Sequence, residues 1–144
     1  MQPEGHLIEE IDLGNGLRVY FYDQSRGVVG DRWQVKLLVM VPLEVKRDYF
    51  DEFDNPDEIY HGFVSVVGKT INFQIERFRN FIDHSNVPQT LAELKDEFRR
   101  SILNYISKPH FARKFILKKY QEHRENAQLK QLYDQHLQQL TKTS

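Results

Sequence analysis

The chain of 144 residues has no cysteine, and its seven glycines all lie at or before Gly68. The first absence excludes disulfides, thiolate nucleophiles and Cys-ligated zinc or iron–sulfur centres. The second divides the chain, because glycine supplies the turns of a strand meander and weakens helix interiors. Long apolar runs are missing as well: the longest, Leu37 to Leu43, is far too short to span a membrane. The start, Met1-Gln2-Pro3-Glu4-Gly5, lacks a basic segment followed by an apolar run, so no secretory leader is expected and a cytoplasmic location is. No HExxH or His-x₃-His pair occurs. His110, His123 and His136 recur every thirteen residues, which turns a helix by about 220° and so denies them a common face. No catalytic residue, cofactor or metal is assigned, and the balance is against an enzyme without excluding one.

What is present is divided by charge. Residues 1–75 carry 7 Lys+Arg and 13 Asp+Glu; residues 76–144 carry 13 and 8. An acidic, turn-rich half precedes a basic half free of glycine. In the first half, Leu7–Leu13 and Leu17–Tyr22 read as strands around Gly14-Asn15-Gly16, a hairpin signal. Trp33, Val35, Leu37, Val39 and Val41 alternate, and Leu38 with Met40 makes the middle of that strand apolar on both faces, which places it centrally in a sheet. Phe63–Val67 and Ile71–Ile75 complete the strand pattern, with Gly68-Lys69 as a turn between them. Asp23–Asp31 reads as a loop, Asn55-Pro56-Asp57 as a turn, and Phe78, Phe81 and Ile82 as a helical turn.

In the second half, Leu91, Leu94, Phe98, Ile102, Tyr105 and Ile106 form a helical stripe, with Thr90 and Glu93 as a capping box. A second helix begins near Pro109 and runs to Leu140, with a polar interruption at Gln121–Asn126. The expected fold is α+β: an antiparallel sheet of about five strands within residues 7–78, then helices at about 91–106 and 109–140. Residues 1–120 are expected to form one domain. Residues 121–144 form a helical extension that pairs with a second copy or packs back on the domain.

Three surfaces are candidates for recognition. Leu129, Leu132, Tyr133, Leu137 and Leu140 gather on one side of the last helix, and a helix so short needs packing to persist in water. Tyr49, Phe50 and Phe53 lie in an acidic connector, residues 44–58, that carries seven acids and two bases. Arg26 and Arg32 flank a glycine-bearing loop able to hold an anion, and Arg113, Lys114, Lys118 and Lys119 concentrate cations on the second helix. The first reading is a small cytosolic interaction or regulatory module that self-associates, as a homodimer, through its helical C-terminal half, or that binds another protein. The alternative is a nucleic-acid-binding accessory protein using the basic helical face. A third is a small-ligand protein, or an enzyme without a recognisable motif, with its pocket near Arg26, Arg32 and Trp33.

Overall fold

The computed structural model describes residues 3–142, the side chain of Lys142 excepted. Met1 and Gln2, and the last two positions of the expected extension, therefore lie outside the described residues. The fold is α+β, with an antiparallel five-stranded sheet and C-terminal helices. The chain divides into two compact units. The first joins the segment ending at Glu44 to Lys69–Ala112; the second joins Val45–Gly68 to the segment beginning at Arg113. Packing thus groups residues 113–120 with 45–68.

The first unit holds the sheet: β1 (His6–Asp12), β2 (Arg18–Asp23), β3 (Arg26–Val29), β4 (Arg32–Glu44) and β5 (Thr70–Asp83). β4 is central, as its two-sided apolar middle requires. It pairs with β2 through Leu37–Met40, with β3 through Arg32–Gln34, and with β5 from Arg32 to Glu44. β1 pairs with β2. The expected loop at 23–31 is instead two strands meeting at a break. There the Gln24 N–H donates to Lys36 O at 2.9 Å, and the Lys36 N–H donates to Ser25 Oγ at 3.1 Å. A hydroxyl takes the place of a backbone carbonyl, so the ladder stays satisfied through the break.

Val35, Leu37, Val39, Val41 and Leu43 of β4 are fully buried, together with Val19 and Phe21 of β2. Helix α2 (Val87–Phe98) covers this face with Leu94 and Phe98, and the Phe98 ring meets Phe21 edge-on at 5.5 Å. Helical structure continues as a π segment, Arg99–Leu103, and one turn, α3 (Asn104–Ile106), which buries Ile106. The side-chain amide of Asn15, at the hairpin tip, donates to the carbonyls of Ile106 and Lys108 at 3.0 and 2.8 Å and so closes the helix end.

Two expectations are corrected in this unit. Thr90 is no cap: α2 begins at Val87, and the Thr90 hydroxyl donates back to Asn86 O at 2.9 Å. Pro88 in the first turn suits a helix start without a capping box. Phe78, Phe81 and Ile82 are not a helical turn: they remain in β5, where Val35 faces Arg79 and Trp33 faces Ile82. An extra residue on β5 makes a bulge, which breaks the two-residue period by which a strand is recognised.

The second unit contains a short 3₁₀ turn (Arg47–Phe50), α1 (Pro56–Val67) and nearly all of α4 (Phe111–Lys142). The expected strand at 63–67 is the last part of α1. Ile59, Tyr60, Phe63, Val64 and Val67 share a helical period, Pro56 opens the helix, and Gly68 closes it at φ +88 with its N–H on Val64 O. α4 is unbroken through residues 121–126 and is about 48 Å long.

Candidate functional site

The second unit is organised by aromatic rings. Phe50 is fully buried, and its ring lies 5.5–6.2 Å from those of Phe53, Tyr60, Phe63 and Tyr120. Phe50 therefore cannot present a recognition surface; it packs inside, because a ring so placed loses more by exposure than the connector loses by folding. Tyr49 and Phe53 are half-buried. Three of the connector's acids are paired within the unit. Arg47 grips Asp51 at 2.5 Å and Asp57 at 2.7 Å, and its hydrogen bond holds the Asp57 carboxyl below the ordinary range. Arg113 pairs with Glu52 at 2.9 Å. No cluster of metal-ligating side chains occurs among the described residues.

The face of α4 turned to these rings carries Ile116, which is buried, Tyr120, which meets Phe50, Phe53 and Phe63, and His123, which lies 5.7 Å from Phe63. At about 100° per residue these three fall within about 60° of one another. The distal residues Leu129, Leu132, Tyr133, Leu137 and Leu140 lie on another side of the helix, their mean direction about 130° away. They are exposed at 64%, 63%, 63%, 42% and 54%. The apolar face of α4 thus changes sides along its length. A helix serving one core keeps one stripe; this helix has two.

No protein-family model, curated protein or solved structure matches this chain. Function is therefore argued from the geometry alone.

The other sequence candidates are dispersed. Arg26 Nε donates to Gln34 Oε1 at 3.3 Å and lines an open groove of about 750 Å³ at the β2–β3 break, with Asp23, Lys36 and Glu76. Arg32 pairs with Asp83 at 3.4 Å and lines a different hollow beside Phe81 and Gln89. The two arginines share no site. On α4, Arg113 is committed to Glu52, and Lys119 pairs with Glu122 at 3.5 Å while lying 5.4 Å from the centre of the Phe115 ring. Lys114 and Lys118 are exposed. Asp83-His84-Ser85 is a turn into α2, with Asp83 on Arg32 and the His84 ring 5.2 Å from Trp33.

Two features escaped the sequence reading. Phe81 holds φ +58 with 77% of its surface exposed. It sits in the β5 bulge at a backbone geometry that glycine favours, and the only sequence sign was the blurred period after Glu76. Glu9 on β1 receives Lys95 and Arg99 of the α2 region, Arg99 at 2.5 Å. The Lys95 hydrogen bond leads in holding the Glu9 carboxyl below its ordinary value; burial opposes it, and the charges of Lys95 and Arg99 add to it. Partners 86 or more residues apart leave no local spacing from which to find them.

Proposed function

We propose that this protein is an interaction module that self-associates through the distal half of α4. The observation that supports the reading is the second stripe. Leu129, Leu132, Tyr133 and Leu137 are each at least 42% exposed, on a side of the helix that the rings of its own unit do not use. Contiguous exposed apolar residues mark surfaces that meet another surface. A short helix gains its persistence from packing rather than from propensity, so an occupant of this stripe also stabilises the helix that bears it. A second copy is the occupant that needs no further component, since two-fold pairing is the commonest route to a soluble oligomer.

Light scattering across a concentration series tests the reading. The wild-type chain is expected to show twice the monomer mass at the higher concentrations. The double variant Leu129→Glu/Tyr133→Glu keeps a good helix former at both positions and is expected to remain a monomer. A wild-type chain that stays monomeric throughout would overturn the proposal.

A further inference from the structure

Lys36 commits both of its backbone groups to one side of β4. Its carbonyl accepts from the Gln24 N–H at 2.9 Å, and its N–H donates to Ser25 Oγ at 3.1 Å, both at the β2–β3 break. In an antiparallel ladder, pairs that exchange hydrogen bonds alternate with pairs that do not. Lys36 and its β5 partner Phe78 are therefore a non-bonded pair, and Phe78 turns its N–H and C=O away from β4. The register is unbroken from Val35–Arg79 to Glu44–Thr70, so Glu76, Gln74 and Asn72 do the same. Among the described residues β5 pairs with β4 alone. The sheet thus ends in an open edge from Thr70 to Arg79, about 33 Å long at about 3.3 Å per residue. Such edges are ordinarily shortened, bent by a bulge or blocked by proline, because a row of free backbone groups is a template for another strand. This stretch has none of the three; the β5 bulge lies beyond it. Its outward N–H groups are taken up by no loop or helix among the described residues. Two outward carbonyls are covered by arginines of the same strand: Arg79 Nη1 donates to Phe78 O at 3.0 Å, and Arg77 Nη1 to Glu76 O at 3.4 Å.

The edge is basic on one face. Arg77 and Arg79 lie opposite Leu37 and Val35, on the side that α2 covers. Arg79 is neutralised by Glu97, whose two carboxylate oxygens it meets at 2.9 and 3.0 Å. Arg77 and Arg100 have no carboxylate. Each makes only a 3.4 Å contact to a backbone carbonyl, Glu76 O for Arg77 and Asp96 O for Arg100. Together with Glu97 and Ser101 they line a hollow of about 410 Å³. Arg100 and Ser101 belong to the π segment, a form of turn that recurs at functional sites. The other face of the edge carries the exposed ring of Phe78, and Glu76 there is paired with Lys36 at 3.4 Å. The geometry points to β5 as the docking edge for an extended acidic peptide of another protein, which joins the sheet as a sixth strand. Strand addition takes its affinity from main-chain hydrogen bonds and its specificity from alternate side chains. Every second side chain of the added strand stands beside Arg77 and Arg100, where a carboxylate replaces a long contact to a carbonyl with a charge-assisted bond. The carbonyls so released accept N–H groups of the peptide. The side chains in between meet Phe78 and are apolar. This surface belongs to the first unit and is independent of the pairing proposed for α4.

The experiment follows amide hydrogen exchange of the full chain by NMR, with an acetylated peptide alternating glutamate and valine as the probe. In the chain alone, the N–H groups of Gln74, Glu76 and Phe78 are expected to exchange at least about tenfold faster than those of Phe73, Ile75 and Arg77, which face β4. Saturating peptide is expected to slow the first set about tenfold and leave the second unchanged. Arg77→Gln/Arg100→Gln is expected to keep the exchange pattern of the free chain and to bind the peptide about fivefold more weakly, the effect of removing two exposed ion pairs. The same peptide methylated on alternate backbone nitrogens is expected not to bind. Outward amides that stay unprotected at saturating peptide would overturn strand addition. Equal protection by a peptide alternating lysine and valine would overturn the acidic partner. Protection that grows with chain concentration in the absence of peptide would assign the edge to a second copy and overturn the proposal.

Discussion

Phe81 and Glu9 show opposite uses of a single side chain. Phe81 is highly exposed at a positive φ, a geometry that costs an L-residue about 1–2 kcal/mol. Glycine removes that cost but adds freedom to the unfolded chain, so Phe81→Gly is expected to raise the unfolding free energy by about 0.5–1 kcal/mol. The check is a higher urea midpoint at unchanged slope; a lower midpoint would show that the ring contributes packing that outweighs the strain. Glu9 ties β1 to the α2 region through Lys95 and Arg99. Its carboxyl is depressed in the folded chain. Its contribution is therefore present above the unfolded value, ordinarily about 4.3, and is lost as pH falls through the lower folded value. Glu9→Gln is expected to cost about 1 kcal/mol at pH 7, with the difference from wild type shrinking as pH falls through the depressed folded value. Equal urea midpoints at pH 7 would show the ion triad to be inert.

Among the elements, those whose period is uninterrupted were legible. β4 alternates from Trp33 to Val41 without a break and was placed centrally because Leu38 and Met40 give it a second apolar face. β3 was not legible: Arg26–Val29 is exposed along its length and carries no burial pattern to read. α1 does not read as a helix from Phe63–Val67, which is rich in β-branched residues; the period that decides the matter begins at Ile59, between the acidic connector and that run. The polar interruption at Gln121–Asn126 does not break α4, since a solvated stretch of helix needs no apolar signature. Of the candidate site, the distal stripe could be read from spacing, but its turn away from the proximal face could not, because that face is defined by rings on the connector and α1. Phe50 was found as an aromatic in the connector, though not as its centre. Phe50→Ala is expected to cost about 3–5 kcal/mol, as for other buried rings, and to flatten the near-ultraviolet dichroism of the tyrosines beside it. An unaltered spectrum would separate Phe50 from Tyr60 and Tyr120.

For the whole molecule, association and stability are linked. A chain that pairs only when folded melts at a temperature that rises with its concentration. The wild type is expected to show this dependence and Leu129→Glu/Tyr133→Glu to lack it; a concentration-independent melt for both would speak against pairing. Among the described residues no helix is long and apolar enough to cross a membrane. Glu44 and Thr70 are the last partners of the β4–β5 ladder, so the chain leaves the sheet and returns to it at facing positions. Facing residues in such a ladder lie about 5 Å apart, a gap that a two-residue Asn-Gly turn closes. Segment 45–69 is in this sense an enlarged hairpin tip. The sheet requires of it only that its ends meet, so its interior can lengthen, diverge or be exchanged for another module without shifting a single strand register.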